Sequence, residues 1–483
     1  MILQYVYKPV LNFIYDKITF RISDKARNYI LWTCFFLIFA VQFLAQYVFL
    51  YQGLNRGVRD YIICLLLGVI ILLSVNKRLE IIKWRKIVYI PYILVGILLL
   101  IAALNHEMGP AYQAFPLVML VAFMCLYYVW GNRGDYTVLF ESISKAYVVF
   151  IAILFAACVA LYPYYDNSFS IYAYEYAPFG INPNGVTKIF APGIVCGLYL
   201  AVLNGDKKRK YLFSFIAGVS AGVILLTSCR TGLLIILALA VIYVIYIIID
   251  YMASRGSDNR NTGSIGSNAV IIALIVISCI FGMCMIKYAS TYINSIIPGS
   301  DNNVASEEQD QQQIVDVRRG ISDAEENERE IMIAERISEG YKLINDDSNL
   351  IKLNQIMTGR VVIWAVYFDN MTWRGSDQMM FYDTEYAHNQ YIELSYKAGI
   401  PTGVIYLILN LLVGLLLLIR FFKKDKCDAG ILFQFMSFAV FFLISMLDTG
   451  ILPFERGFIF IYYIVILPLF FRGDKERARG KKE

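Results

Sequence analysis

Apolar runs long enough to cross a lipid bilayer recur along the whole chain, and this feature limits the possible folds more than any other. About 20 apolar residues in a helix span a hydrocarbon core of roughly 30 Å. Apolar runs occur at positions 29–50, 61–75, 87–104, 111–130, 146–162, 186–203, 211–229, 232–252, 269–286, 403–421, 430–447 and 457–471, of which 61–75 and 457–471 are short for a span. Inside a bilayer every backbone polar group needs a partner within the protein, and a helix supplies nearly all of these partners within its own segment. The sequence therefore predicts an all-α polytopic membrane protein with about 12 transmembrane helices.

The loop charges predict how these helices are oriented. Lysine and arginine collect in alternate short loops and in the tail, at 17–27, 77–86, 207–210, 423–426 and 472–482. Cytoplasmic loops carry such an excess, so both termini are expected in the cytoplasm. The net charge of +5 largely reflects this pattern and implies no nucleic-acid partner. Membrane lipids are the expected contact of the basic loops.

A long insertion divides the chain into three parts. Residues 1–286 carry helices 1–9, residues 287–402 form an extracytoplasmic loop domain, and residues 403–483 carry helices 10–12 with a basic cytoplasmic tail. The loop domain contains a helical pattern at 331–344. A second apolar stretch, 358–373, predicts a helix along the membrane interface with Thr358 as its N-cap.

Ionisable residues are essentially absent from the centres of the predicted spans. A proton-coupled or sodium-coupled transporter is expected to place carboxylates or histidine at that depth, so the pattern disfavours coupled transport. The nine cysteines lie mostly inside apolar spans and form no CxxC pattern. They predict neither a disulfide framework nor a metal site.

The candidate chemistry lies near the extracytoplasmic face. Arg230 occupies a tight turn in TSCRTG, Arg360 begins the predicted interfacial helix in TGR, and His388 is one of two histidines in the chain. Arginines at these places can also serve only to reach lipid phosphates, and His388 can be an ordinary surface residue. An imidazole, however, can accept a proton near neutral pH, and guanidinium groups bind phosphate oxygens.

Three motifs together resemble the O-antigen ligase and polymerase superfamily of bacterial envelope proteins. They are SCRTG at 228–232, TGRVVIW at 358–364 and AHNQYIELSYKAGIPTG at 387–403. Members of that superfamily typically have about twelve spans and a large extracytoplasmic loop between late spans, which matches the layout here.

The resemblance implies a reaction and a site. It implies metal-independent, inverting transfer of a glycan from a polyprenyl-pyrophosphate-linked donor to a sugar hydroxyl acceptor on a lipid-linked glycan, without a cofactor. Arg230 and Arg360 match the arginines thought to hold the donor pyrophosphate, and His388 matches the histidine thought to activate the acceptor. The implied location is the bacterial inner membrane, with the active site on the extracytoplasmic face. Other envelope polysaccharide assembly proteins are possible partners.

Further residues are expected near the substrate. Asn184 follows an aromatic-rich loop whose tyrosines can stack on sugars or form an interfacial belt, and Lys188 lies one turn further on. Asn389, Tyr391 and Glu393 flank His388 and are expected to contact the substrate or to support the histidine.

Three alternatives to a polymerase stay open. A ligase of the same superfamily would move a finished glycan to another surface acceptor. A lipid-linked glycan flippase or transporter would suit twelve spans. It would, however, predict a long central cytoplasmic loop or internal repeats, together with ionisable residues at mid-depth, and the sequence has none of these. A scaffold without catalytic activity would use the acidic segment 300–349 as a docking surface and would leave Arg230, Arg360 and His388 unrelated.

Overall fold

A computed structural model of the chain describes residues 2–45, 56–105, 110–161, 176, 178–255, 263–289, 292, 323–345, 347–357, 359–376, 387–423, 428–448 and 460–471. Within these ranges the chain is helical and contains no strand, apart from an isolated bridge between Trp84 and Phe471. The all-α fold is therefore confirmed.

The helices follow the apolar runs closely. They are α1 Ile2–Lys17, α2 Asp24–Phe43, α3 Arg56–Ser74, α4 Lys86–Asn105, α5 Pro110–Arg133, α6 Thr137–Leu161, α7 Pro183–Leu203, α8 Lys207–Leu226, α9 Arg230–Arg255, α10 Gly263–Cys284, α11 Asp323–Ile344, α12 Ser348–Ile356, α13 Arg360–Asp369, α14 Gln390–Ala398, α15 Ile400–Phe421, α16 Ala429–Leu447 and α17 Phe460–Val465. Among the described residues, nine of these are long and apolar enough to cross a membrane: α2, α4, α6, α7, α8, α9, α10, α15 and α16. The protein is thus a multi-pass membrane protein. The other three predicted spans coincide with α3, α5 and α17, and the count of twelve stays a prediction.

Close helix packing in the bundle depends on small residues. In α8, Gly218 and Gly222 are four residues apart and face α10. A Cβ atom at Gly218 would lie 2.5 Å from the Ile275 carbonyl oxygen, and one at Gly222 would lie 2.6 Å from the Cys279 carbonyl oxygen. Glycines at this spacing let two helix backbones touch, which is how helices associate when lipid supplies no hydrophobic drive.

The last helix of the bundle is broken, and its backbone carbonyls are satisfied by other helices. α17 ends at Val465, and a 3-10 turn over Leu467–Phe470 follows, with Pro468 unable to donate a backbone hydrogen bond. The Tyr463 carbonyl accepts the Tyr127 hydroxyl at 2.7 Å, and the Val465 carbonyl accepts the Gln434 amide at 2.7 Å. Irregular backbone is tolerated inside a helix bundle where protein groups replace the missing helical bonds.

The described part of the insertion forms a small helical cap. The helix predicted at 331–344 forms the second part of α11. The helix predicted at 358–373 is present as the shorter α13. Most apolar residues of α13 pack inside the cap, in clusters with α11, α12 and α14, while Phe368 just before its end is 60% exposed. The apolar character of this stretch is therefore largely explained by packing between cap helices.

The start of α13 differs from the prediction. Its N-cap position is Gly359, in the left-handed conformation at φ 86°, and Thr358 lies outside the described residues. The amide of Val362, in the first turn, donates to the buried Asn354 side chain at 3.1 Å. A side chain of α12 thus accepts a hydrogen bond from a first-turn amide of α13, which is the usual role of an N-cap side chain.

Candidate functional site

Asp448 is the residue around which the candidate site is built. It caps the C-terminus of α16, and its side chain is only 10% exposed. One carboxylate oxygen lies 2.8 Å from Lys188 Nζ, and the other lies 3.6 Å from His388 Nδ1. Three distant parts of the sequence therefore meet at a single buried carboxylate.

Arg360 and Arg230 belong to the same electrostatic cluster. Burial lowers the pKa of the half-buried Arg360 guanidinium, Asp448 opposes that shift, and Arg230 adds to it by like-charge repulsion. Arg360 is therefore close enough to feel both charges. Arg230 is exposed at the first residue of α9, and Arg360 is the first residue of α13. Since an arginine does not lose its proton in proteins, both side chains stay cationic.

The cluster carries more positive than negative charge. Lys188, Arg230 and Arg360 contribute three cations, and Asp448 contributes one anion. Helices α7, α9, α13 and α14 begin within a few residues of the cluster members. Helix N-termini bear partial positive charge, so this end of the bundle is suited to a multivalent anion.

Backbone strain is concentrated in the segments that carry the site. Among the described residues, three non-glycine residues have positive φ: Phe179 at 62°, Ser228 at 50° and His388 at 46°. Phe179 precedes the α7 N-terminus, Ser228 lies two residues before Arg230, and His388 is itself a site residue. Such strain costs about 1–3 kcal/mol per residue and collects where function requires a particular geometry.

His388 is held on both sides by hydrogen bonds of its neighbours. The Ala387 carbonyl accepts the Trp364 indole N–H at 2.6 Å, and the Ala387 amide donates to Glu393 at 3.1 Å. On the other side, the Asn389 amide donates to the Met446 carbonyl at 3.1 Å. His388 Nδ1 is sheltered from solvent although the side chain is 29% exposed, so the accessible part of the ring lies away from Asp448.

The residues beside His388 that were predicted to contact substrate make hydrogen bonds, ion pairs or packing contacts with other residues of the chain. The Asn389 side-chain oxygen caps α14 by accepting the Tyr391 and Ile392 amides. Glu393 is buried and pairs with Lys397 at 2.6 Å, and Tyr391 is 5% exposed and packs on Tyr406. Substrate contact by Asn389, Tyr391 and Glu393 stays a prediction, while their contacts give each a supporting role.

Asn184 and Lys188 connect α7 to the rest of the site. The Asn184 side-chain oxygen accepts the Cys229 thiol at 3.0 Å, one residue before Arg230. Lys188, one turn further along α7, reaches Asp448. The structure thus brings together five of the predicted site residues, His388, Arg360, Arg230, Lys188 and Asn184.

Sequence reasoning missed Asp448. It follows directly after the apolar run 430–447 and resembles a residue that merely ends a span. The available signal was that the loop charges predict the extracytoplasmic face for this end of the span, where the other candidate residues are also expected. Cys229, Trp364 and Asn354 were likewise given no individual role.

No metal-binding cluster of three or more His, Cys, Asp or Glu side chains occurs in the part of the chain that the structure describes.

Comparisons with known proteins yield no relative. No family model, curated protein or solved structure matches this chain. The resemblance to the O-antigen ligase and polymerase superfamily therefore depends on the three short motifs and the span layout.

Proposed function

We propose that the protein is a membrane glycosyltransferase that joins polyprenyl-pyrophosphate-linked oligosaccharide repeat units into a surface polysaccharide of a bacterial envelope. The observation that carries this proposal is that Lys188 and His388 meet at Asp448, with Arg360 near that carboxylate and Arg230 near Arg360. A cationic site beside an imidazole–carboxylate pair fits a substrate that has a pyrophosphate leaving group and a reacting hydroxyl.

The arginines are assigned to the donor. Guanidinium groups at Arg230 and Arg360 can each bind two phosphate oxygens, and their charge stabilises the pyrophosphate as it departs. Lys188 adds positive charge close by, partly neutralised by its ion pair with Asp448. Because no step transfers the donor phosphorus, these residues need only hold the leaving group and favour the charge that develops on it.

His388 is assigned as the general base. Asp448 lies beside Nδ1, so it favours the tautomer with hydrogen on Nδ1 and leaves Nε2 to accept a proton. The acceptor hydroxyl gives its proton to Nε2 as its oxygen attacks the anomeric carbon, and the bond to the pyrophosphate breaks with its electron pair. The 3.6 Å separation from Asp448 is expected to shorten when the imidazolium forms. A single attack opposite the leaving group inverts the anomeric centre.

This reaction implies a location. We place the site on the extracytoplasmic face of the bacterial inner membrane, with both termini in the cytoplasm, because the basic loops lie at the opposite end of the spans from Arg230 and His388. Cysteine-accessibility labelling from each side of sealed vesicles tests this topology.

Purified protein in nanodiscs, given a lipid-linked repeat unit, is expected to produce a ladder of longer glycans. Neither a nucleotide nor a metal should be needed, and an excess of chelator should leave the ladder unchanged. H388A and R360A should abolish the ladder at normal expression. R374A is the control, since Arg374 is an exposed arginine of the cap. A ladder that survives in H388A would rule out the general-base assignment, and a single transfer to a different acceptor would identify a ligase.

A further inference from the structure

Trp364 connects the helix that carries Arg360 to the backbone that carries His388. Arg360 and Trp364 are four residues apart on α13, so their side chains lie on one face of that helix. The Trp364 indole N–H donates to the Ala387 carbonyl at 2.6 Å, and Ala387 is completely buried. This hydrogen bond links α13 directly to the residue that precedes His388.

The hydrogen bond to the Ala387 carbonyl restricts the backbone φ angle of His388. The Ala387 carbonyl belongs to the peptide plane whose rotation about the His388 N–Cα bond is the φ angle. That angle is 46°, in the left-handed region that a histidine seldom adopts. A bond that fixes this plane therefore helps to hold the strained conformation and sets the direction of the imidazole.

A second connection fixes the other side of the histidine. Asn389 donates to the Met446 carbonyl, two residues before Asp448 on the chain. His388 is thus tied through Trp364 to the helix bearing Arg360, and through Asn389 to the helix that ends at Asp448. The two ties define the position of the imidazole relative to both charged groups.

From this geometry we infer that Trp364 is a positioning residue for the transfer reaction and sets the distance between the proton acceptor His388 and the phosphate-binding Arg360. The inference rests on the proposed function. Trp364 itself needs no contact with substrate, since its hydrogen-bonding group is engaged with Ala387. Misplacement of a catalytic group by about 1 Å can cost on the order of 100-fold in rate, so loss of this bond should act mainly on turnover.

The test compares W364F with W130F. W364F keeps an aromatic ring in the cap cluster and removes the indole N–H. Trp130 is the matched control, because it is fully buried and its indole N–H donates to Ser74 at 2.9 Å, near the opposite end of the bundle. We expect kcat for ladder formation to fall about 10-fold to 100-fold in W364F, with KM for the lipid-linked donor changed less than threefold. In W130F kcat should stay within a factor of two.

A spectroscopic measurement makes the inference independent of activity. The chain has two histidines, so H106Q leaves His388 as the single imidazole. Isotope-labelled histidine in nanodiscs should give one main set of imidazole signals in H106Q. Adding W364F should shift or split that set, and adding W130F should not.

The outcomes separate the two proposals. If kcat and the His388 signals are both unchanged in W364F, the positioning role is wrong while the proposed function stands. If no glycan forms with any variant but W364F still changes the His388 signals, the structural link holds and the proposed function fails. A fall in kcat matched by W130F would show a general loss of stability and would also overturn the positioning role.

A separate observation concerns helix α1, whose two faces differ. Its inner face is fastened to the segment between α3 and α4. The Asn12 side chain accepts the Leu79 amide at 2.7 Å and donates to the Leu79 carbonyl at 3.2 Å, and Asp16 pairs with Arg78 at 3.0 Å. Its outer face exposes apolar side chains: Tyr5 by 61%, Val6 by 57%, Val10 by 55% and Phe13 by 64%.

The position and charge of α1 indicate what covers this face. The segment that holds it joins the end of α3 to the start of α4, and the span pattern predicts that this connection lies at the membrane surface. Basic residues surround it at Lys8, Lys17, Arg21 and Lys25, while Asp16 and Asp24 are engaged in ion pairs with Arg78 and Arg27. Apolar side chains rimmed by lysine and arginine fit a leaflet with anionic headgroups.

We propose that the outer face of α1 binds the adjacent leaflet and prefers anionic phospholipid. A photo-crosslinking phenylalanine analogue at position 13, in nanodiscs of mixed phosphatidylglycerol and phosphatidylcholine, reports the contact by mass spectrometry. Lipid adducts enriched in phosphatidylglycerol beyond its mole fraction are expected, with the enrichment reduced in a K8Q/K17Q background. The same probe at Leu11, which is 4% exposed on the inner face, should crosslink to the chain itself. Adducts without enrichment would overturn the anionic preference, and crosslinks to a second protein chain or only to water would overturn the membrane contact.

Discussion

Lys188 and Asp448 form an ion pair of 2.8 Å in which the carboxylate is 10% exposed and the ammonium 22% exposed. The same carboxylate faces His388 through its other oxygen. A largely buried carboxylate with two such neighbours has a strong influence on both, since charges interact more strongly away from water.

Replacing Asp448 with asparagine should therefore impair the reaction strongly. D448N preserves the shape of the side chain and removes the charge that, in the proposed reaction, orients the His388 ring and stabilises the imidazolium. Turnover should fall by about 10²-fold to 10⁴-fold, as expected when a general base loses its orienting group. The measurement is the initial rate of ladder formation at saturating donor.

The matched control for D448N is D16N. Asp16 also pairs with a basic residue, but that pair is exposed, with Arg78 73% and Asp16 39% accessible. Exposed pairs contribute about 0–1 kcal/mol, so D16N should leave both the rate and the melting temperature nearly unchanged. If D448N retained full turnover, Asp448 would have no part in the chemistry.

The conformation of His388 predicts a conflict between stability and activity. At φ 46° a residue with a Cβ atom is strained, and glycine is not. H388G should therefore be more stable than H388A by about 1 kcal/mol, while neither variant forms a ladder. Thermal unfolding of the two variants in the same detergent measures the difference. Equal melting temperatures would mean that this backbone conformation imposes no cost.

The helices could be predicted from the sequence because each depends on a local property. The run at 87–104 becomes α4, Lys86–Asn105, and the run at 430–447 becomes α16, Ala429–Leu447. Apolar length decides these segments almost regardless of their neighbours. The apolar stretch that follows TGR likewise predicted that a helix begins there.

The site itself could be predicted only in part, because its contacts join residues that are distant in sequence. Arg230, Arg360 and His388 stood out by residue type and motif, yet no spacing relates any of them to Asp448. The positive φ of His388 is equally hidden, since position 388 holds neither glycine nor asparagine, and the bonds of Ala387 and Asn389 join it to residues that are distant in sequence. Long-range packing decides both features.

The cap that Asn354 provides for α13 should matter for Arg360. In N354A the Val362 amide loses its partner in a buried environment, at a cost of about 1–2 kcal/mol. Because Arg360 is the first residue of that helix, fraying should raise KM for the lipid-linked donor.

N354D keeps the acceptor and should behave nearly as wild type. N370A is the control, since Asn370 lies at the other end of α13 and donates to Val366 at 2.9 Å. Hydrogen exchange at the Val362 amide is the direct measurement, and unchanged protection in N354A would contradict the capping role.

The junction between α14 and α15 requires glycine at position 399. Gly399 has φ 90° and ψ 148°, a conformation essentially confined to glycine. A Cβ atom there would lie 2.4 Å from the Trp373 carbonyl oxygen, in backbone that cannot move aside cheaply. G399A should therefore destabilise the protein by about 3 kcal/mol and displace α14, which begins two residues after His388.

G68A provides the contrast, since a Cβ atom at Gly68 meets nothing within 4 Å inside helix α3. That variant should be neutral or more stable by about 0.5–1 kcal/mol. Melting temperatures measured side by side decide the matter, and a G399A protein as stable as G68A would show that the junction can be rebuilt without glycine.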